Sequence, residues 1–253
     1  MARWATFDCY GTLIDWNGGI RAELVRLFGG EEGEPEASSG PDGPAEGSAD
    51  RKAHVAEEDA EGAEAAGEPD PEIEALLARY HELERELERD GTLSYREVMT
   101  EAMRRLGAPA GEESGLAESL PGWEPFPETV NALTEIRERG WKIAILSNSD
   151  LDLIAASKER MGVPFDETVV ASEINSYKPA YLHWFEFYAR TLADKRRHVH
   201  IGASNYHDIT PAAKLRIPNV WINRLGEHPY TAATVELEDM YELGQVLDDL
   251  MPE

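Results

Sequence analysis

The chain has 253 residues, 42% of them hydrophobic, which suits one large domain or two small ones with a sizeable core. It carries 24 basic and 50 acidic residues, a formal net charge of −26, so its surface repels nucleic acid and anionic membranes and neither is expected as a partner. One cysteine, Cys9, excludes an intramolecular disulfide and fits a reducing compartment; with no leader-like start and no apolar run near a membrane span, the expectation is a cytoplasmic protein.

The basic residues are six Lys against eighteen Arg, and scarce lysine in a heavily acidic chain points to a proteome adapted to high salt. Residues 29–71 hold fourteen acids and two bases, a net of −12, which leaves −14 elsewhere, so the acidity is not confined to one segment.

In chain order, the apolar run Trp4–Phe7 reads as a buried strand ending in the carboxylate of Asp8, with a sharp turn at Gly11 and Thr12. Residues 17–28 carry Ile20, Leu24 and Leu27 at helical spacing. From Gly29 to about residue 70 the chain is Gly, Glu, Ala, Pro, Ser and Asp, too poor in large apolar residues to offset its ordering entropy, and reads as a disordered acidic insertion. Asp70 before Pro71 opens a helix whose apolar face is Ile73, Leu76, Leu77, Tyr80, Leu83 and Leu87. Ser94 and Glu97 form a capping box that opens a second helix, through Leu106 to a stop at Gly107. A short helix over 112–119 completes this unit, and an aromatic, proline-rich connector, 121–127, follows it.

From 128 the rhythm alternates. Helices are predicted over 128–139, 151–161, 180–192 and 208–215, and strands over 141–146, 168–171, 198–201 and 219–222, with a closing segment from Val235 to Leu250 at a sheet edge. Such a βαβ series predicts an α/β fold: a Rossmann-like, mostly parallel sheet core, residues 1–15 and 121–253, with an inserted helical cap, residues 16–120, containing the acidic insertion at about 29–70.

Parallel strands bring four polar groups to one side of that sheet: Asp8, Ser147 with Asn148, Lys178, and Asn205 with Asp208. A carboxylate nucleophile at Asp8 needs a nearby cation, which Lys178 supplies, and Thr12 can hydrogen-bond it. Ser147 and Asn148 can donate to an anionic substrate group, and Asp208 can orient a water. Cys9 reads as packing. His198 and His200 alternate onto one strand face with no carboxylate assigned to them, so no metal site is expected, while His207 and Tyr206 are placed to line a pocket. Trp16, Trp123 and Trp184 are candidates for an apolar wall.

FDCYGTLID, ILSNSD, YKPA and IGASNYHDITPA, in that order, resemble the four motifs of the haloacid dehalogenase superfamily. Phosphatases of that superfamily carry an aspartate two residues after the nucleophile and another directly after the glycine of the fourth motif, as a Mg²⁺ ligand; Tyr10 and Ala203 stand there. Asp8, Tyr10, Gly11, Thr12 and Leu13 instead resemble the 2-haloacid dehalogenase branch. The resemblance implies that Asp8 displaces halide from a short 2-haloalkanoic acid, that water hydrolyses the aspartyl ester, and that no cofactor is needed. It implies catalytic roles for Asp8, Thr12, Lys178, Asn205 and Asp208, and substrate contacts from Tyr10, Leu13, Ser147, Asn148, a cap arginine assigned to Arg79, and Trp184. Two positions depart from the branch: Ala203 replaces a serine and Trp184 a tyrosine. The alternatives are a phosphatase-type hydrolase of the same fold, with Mg²⁺, and a non-catalytic binding protein. A small molecule is the expected partner, and the apolar surface of the cap helices is compatible with a homodimer.

Overall fold

A computed structural model describes residues 2–29, 70–89 and 91–252. The expected acidic insertion falls almost wholly outside the described residues, as does His54. Strand β1 (Arg3–Phe7) is followed by four helices, α1 (Trp16–Phe28), α2 (Pro71–Glu88), α3 (Tyr95–Leu106) and α4 (Gly115–Ser119). Then come α5 (Thr129–Glu138), β2 (Trp141–Ser147), α6 (Leu151–Met161), β3 (Glu167–Val170), α7 (Ala171–Ile174), α8 (Leu182–Thr191) and β4 (His198–Gly202). A π-helical turn (Asn205–Ile209) runs into α9 (Thr210–Lys214), and β5 (Asn219–Ile222), β6 (Val235–Leu237) and α10 (Leu243–Leu250) close the chain.

The six strands form one sheet in the order β3-β2-β1-β4-β5-β6, parallel throughout. It is the predicted α/β architecture. β1 lies centrally, between β2 and β4, and is buried at all five residues. Its register sets Phe7 beside Ile145 on one side and Ile201 on the other, so β2 runs two residues and β4 one residue past the end of β1. The chain leaves β1 to build β2 and β3 on one flank and β4 to β6 on the other. That reversal opens a crevice at the carboxyl end of β1, where ligands bind in sheets of this kind.

Alternation along the strands fills both faces. Ala5, Phe7, Ile143, Ile145, Val199 and Ile201 pack with Leu133, Ile136, Leu153, Ile154 and Leu247 of α5, α6 and α10. Trp4, Ala144, Leu146 and Val169 face the other way and pack with Trp184 and Phe187 of α8. On this second face Thr6 Oγ1 lies 2.7 Å from His198 Nε2 and 2.8 Å from His200 Nδ1, so the two histidines predicted to share a face do so, satisfied by a hydroxyl.

The helices between β1 and β2 start and stop where their caps require. Asp70 accepts from the Glu72 amide with Pro71 at the first helical position, and the Ser94–Glu97 capping box is complete, each cap contributing about 1 kcal/mol. Gly107 ends α3 in the left-handed conformation, φ 92°. The helix expected from Asp208 starts earlier: Ser204 Oγ accepts from the His207 amide and the chain makes a wide π turn before α9. α7 is a further short helix that apolar spacing did not indicate, because four residues are too few to show a period.

Candidate active site

Asp8 leaves β1 at the switch point with its amide bonded to the Ile201 carbonyl at 2.9 Å, which ties it to the end of β4. The turn behind it needs Gly11, whose φ of 85° is costly for any residue with a Cβ. Thr12 is thereby returned to the carboxylate: its Oγ1 donates to Asp8 Oδ2 at 3.0 Å and accepts from the Ala203 amide at 2.9 Å. Lys178, 1% exposed, donates from Nζ to Asp8 Oδ1 at 2.7 Å, Asp208 Oδ1 at 2.7 Å and the Leu146 carbonyl at 2.8 Å. All three ammonium protons are thus directed, and the ion points at Asp8.

Asp208 is fully buried and further held by the Ser204 amide at 3.2 Å and by His200 Nε2 at 3.3 Å. It passes so close to β4 that a Cβ at Gly202 would lie 2.5 Å from the Asp208 Cβ, so the glycine is a packing requirement. Burial pushes Asp8 up to about 6 against the pull of Lys178, with Asp208 adding to the rise. Burial would also raise Asp208, but Lys178 outweighs it and holds that carboxyl well below the usual range. Burial would lower Lys178, yet the two carboxylates keep it charged beyond the ordinary lysine range.

Asp8 forms the floor of a cavity of about 330 Å³ that Tyr10, Trp16, Ser147, Asn148, Lys178, His207 and Asp208 also line. The Tyr10 hydroxyl is occupied by Ser157 Oγ at 3.1 Å; its ring stacks on Tyr95 at 6.1 Å and meets Trp123 edge-on at 6.2 Å. Tyr10 therefore offers the cavity an apolar ring, not a proton donor. Asn148 Oδ1 accepts from the Lys178 amide at 2.5 Å and its Nδ2 donates to the Lys178 carbonyl at 3.0 Å, so this amide fixes the lysine's backbone.

Four predicted site residues lie elsewhere. Arg79 is exposed on the outer face of α2 and pairs with Glu82 at 2.6 Å; one turn of 3.6 residues cannot bring it to the face that carries His81, Glu84 and Glu88. The arginine of α2 that does line the cavity is Arg85, which makes no ion pair among the described residues. Leu13 is buried in the core, its carbonyl accepting from the Phe126 amide and Thr129 Oγ1. Trp184 is on the far face of the sheet, edge-on to His200 at 5.1 Å, and so supports the histidine beneath Asp208 rather than the pocket. Asn205 clasps the Thr231 backbone, accepting from its amide at 3.1 Å and donating to its carbonyl at 2.9 Å, which pins a loop.

Other lining residues escaped the motif-based reading. Glu84 and Glu88 are only 5% and 7% exposed and face the cavity with His81, on one ridge of α2 at spacings of three and four. The Tyr95 hydroxyl donates to Glu84 Oε1 at 2.8 Å, and Trp16 Nε1 donates to that hydroxyl at 3.1 Å. Glu88 receives the Asn148 amide at 3.3 Å and lies 3.5 Å from His207 Nε2. Burial raises Glu84 to about 8 and Glu88 well above the usual carboxylate range, and lowers His81 and His207 to about 4 each. Arg224 donates to the Thr12 carbonyl at 3.1 Å, pairs with Glu128 at 2.6 Å and covers Phe126. The signal for the two glutamates is present in the sequence: 77, 81, 84 and 88 continue the buried stripe of α2, but acids are ordinarily assigned to the solvent face.

A Mg²⁺ ion of the kind the phosphatases use does not fit these residues. The position after Gly202 is Ala203, without a ligand atom on its side chain, and the Lys178 ammonium already bridges Asp8 and Asp208.

A parallel sheet whose switch point presents an aspartate clamped by lysine and threonine, below helices inserted after the first strand, is the frame of a carboxylate-dependent hydrolase. The chain belongs to the haloacid dehalogenase-like hydrolase family, whose family model matches residues 2–215. It is similar to haloacetate dehalogenase H-2 of Moraxella sp. (strain B), 30% identical over 124 residues, 48% of this chain and 55% of that protein. It is similar also to the (S)-2-haloacid dehalogenase of Pseudomonas sp. (strain YL), 32% identical over 123 residues, 48% of this chain and 53% of that one. The match spans about half the length of these curated relatives. In fold it resembles the L-2-haloacid dehalogenase RSc1362, at 21% identity and a TM-score of 0.74, covering 98% of this chain and 99% of that one. It likewise resembles the L-2-haloacid dehalogenase of Xanthobacter autotrophicus with chloropropionic acid covalently bound, at 14% identity and a TM-score of 0.72, covering 98% of each chain.

Proposed function

We propose that the protein is a 2-haloacid dehalogenase-like hydrolase with Asp8 as its nucleophile. The observation that carries this reading is the clamp on Asp8: one carboxylate oxygen on Lys178, the other on Thr12, at the base of a cavity with an aromatic ring at position 10. An Asp8 oxygen attacks C2 of a short 2-haloalkanoic acid, the carbon–halogen bond breaks, and the halide leaves with its electron pair. Water then adds to the carboxyl carbon of the aspartyl ester. The resulting oxyanion is stabilised by Lys178 and Thr12, and its collapse breaks the bond between the Asp8 carboxyl carbon and the ester oxygen; the 2-hydroxy acid leaves with that oxygen and a proton from the attacking water, and Asp8 is restored with one oxygen from water. Asp208 keeps Lys178 charged and directed, Asn148 fixes its backbone, and Ser147 lies at the substrate's edge. No step requires a metal or cofactor. The relatives named above support the substrate class through their own activities on haloacetate and 2-haloacids.

The same proposal treats α1 to α4 as a cap over the sheet, with Arg85 in place of Arg79 as the arginine that meets the departing halide. Cytoplasmic residence and a high-salt proteome belong to it as well, supported by composition; the homodimer expectation finds no such support, since among the described residues of α1 to α4 Val25 is the one exposed large hydrophobic residue. Among the described residues, no helix is long and apolar enough to cross a membrane.

The test is release of chloride from 2-chloropropanoate in the presence of a metal chelator. The wild-type rate is expected to rise with pH through about 6, as Asp8 ionises, and Asp8→Asn is expected to abolish it. A single turnover in ¹⁸O-water is expected to label the Asp8 carboxylate. Absence of halide release from every short 2-haloacid tried would remove the reading.

A further inference from the structure

The hydrogen-bond chain behind the cavity has a fixed direction. An indole nitrogen can only donate, so the Trp16 N–H, 3.1 Å away, makes the Tyr95 oxygen an acceptor. The single proton of Tyr95 then goes to Glu84 Oε1, at 2.8 Å. Oε1 is an acceptor in either charge state, and a proton on Glu84 belongs on Oε2. That oxygen makes no hydrogen bond of normal geometry among the described residues, although the buried Tyr80 hydroxyl, itself without a geometric partner, also acts on the Glu84 carboxyl, and Glu84 lines the cavity.

The charges around it make the neutral form the useful one. On α2 itself Glu84 has Tyr80 one turn back, Arg85 beside it and Glu88 one turn on; α3 presents Tyr95, α1 presents Trp16, and the sheet presents Asp8. Arg85 is exposed at the cavity wall, and Lys178 is already shared by Asp8 and Asp208. An ionised Glu84 would repel an incoming carboxylate. A neutral one offers it an O–H, and a hydrogen bond to a charged acceptor in a desolvated site is among the stronger kinds.

We propose that Glu84 is a specificity-determining residue which, as a neutral carboxylic acid, donates its Oε2–H to the carboxylate of the substrate. The proposal rests on the dehalogenase reading for the identity of that substrate. Burial supports it by raising Glu84 to about 8, above the range in which a free glutamate ionises.

The experiment compares kcat/KM for 2-chloropropanoate from pH 5.5 to 9.5 in the wild type, Glu84→Gln and Tyr95→Phe, with propanoate binding measured by calorimetry in buffers of different ionisation enthalpy. In the wild type kcat/KM is expected to fall about tenfold per pH unit above the ionisation of Glu84. Glu84→Gln is expected to have a several-fold lower plateau and no alkaline fall, since its amide donor does not titrate. Tyr95→Phe is expected to move the fall to higher pH, because the lost hydroxyl favours the charged form. Propanoate, which cannot react, is expected to bind the wild type with proton uptake above pH 8 and to bind Glu84→Gln without it. An unchanged alkaline fall in Glu84→Gln, propanoate binding without proton uptake, or no propanoate binding at all would overturn the proposal. If Glu84→Gln does not fold, the wild-type proton uptake and the Tyr95→Phe shift decide. If no 2-haloacid is turned over yet propanoate binds with proton uptake, the dehalogenase reading fails and the role of Glu84 in carboxylate recognition stands.

Discussion

Lys178 is the residue whose removal the site tolerates least. Its ammonium is buried, and it separates two carboxylates that each bond it at 2.7 Å. Replacing it with the similarly shaped Met would leave Asp8 and Asp208 facing one another without a cation, and breaking a buried ion pair from one side costs about 3–5 kcal/mol. Part of that cost is relieved because Asp8 can take up a proton. Urea unfolding at pH 7 is therefore expected to show Lys178→Met destabilised by several kcal/mol, less so at pH 5, where the proton is more available. Halide release is expected to be lost at both values. Equal destabilisation at pH 5 and 7 would mean that Asp8 is not the group that compensates. The four residues at this centre, Asp8, Thr12, Lys178 and Asp208, are legible in the sequence because each follows or adjoins a strand end, and parallel strands leave little choice about where such ends lie. Trp184 and Leu13 are not, because a motif position says nothing about which face of an element it occupies.

The phase of one helix accounts for the larger misassignment. α2 presents His81, Glu84, Arg85 and Glu88 to the cavity, and Arg79 is turned to solvent with Glu82. An arginine chosen by local sequence pattern can be wrong by a fraction of a turn and still look right, since 79 and 85 flank the same apolar stripe. Arg85→Ala is accordingly expected to lower kcat/KM for 2-chloropropanoate by ten- to a hundredfold, roughly 1.4–2.7 kcal/mol, whereas Arg79→Ala stays within about twofold of wild type. Steady-state chloride release checks both, and the reverse ranking would return the halide contact to Arg79. Helix limits, by contrast, were written locally: Asp70-Pro71, Ser94 with Glu97, and Gly107 each satisfy a terminus on their own, so α2 and α3 are predictable without tertiary information. The π turn before α9 is not, because its wide loop is set by the approach of Asp208 to Gly202 across the sheet.

The whole molecule stores an unusual number of titratable groups away from water, and they fix how its stability responds to pH. Burial lowers His81 and His207 to about 4 and His183 to about 3, and it lowers His198 and His200 as well. Below pH 6.5 the unfolded chain protonates these five while the native one does not, so stability is lost as pH falls through that value. Glu84, raised to about 8, and Glu88, raised further from its usual range by burial and by Glu84, act in the opposite sense. Above pH 6.5 the histidines are neutral in both states, but the native protein still holds the two carboxyl protons that the unfolded chain has released. Stability therefore falls as pH rises towards 8. Asp8, at about 6, opposes the histidines only over the acidic part of the range, where Glu84 and Glu88 already do so, and three groups against five leave the histidines ahead. Asp208 is ionised in both states throughout this window and Lys178 protonated in both, so neither contributes. The thermal unfolding midpoint is thus expected to pass through a maximum near pH 6.5 when scanned from 5 to 9 at constant ionic strength. Glu84→Gln should flatten the alkaline side and steepen the acidic side, because the amide carries no proton to set against the histidines, which are untouched. A midpoint that climbs steadily to pH 9 would show that Glu84 and Glu88 are ionised in the native state, and the carboxylates would then have to be balanced by a cation in the cavity.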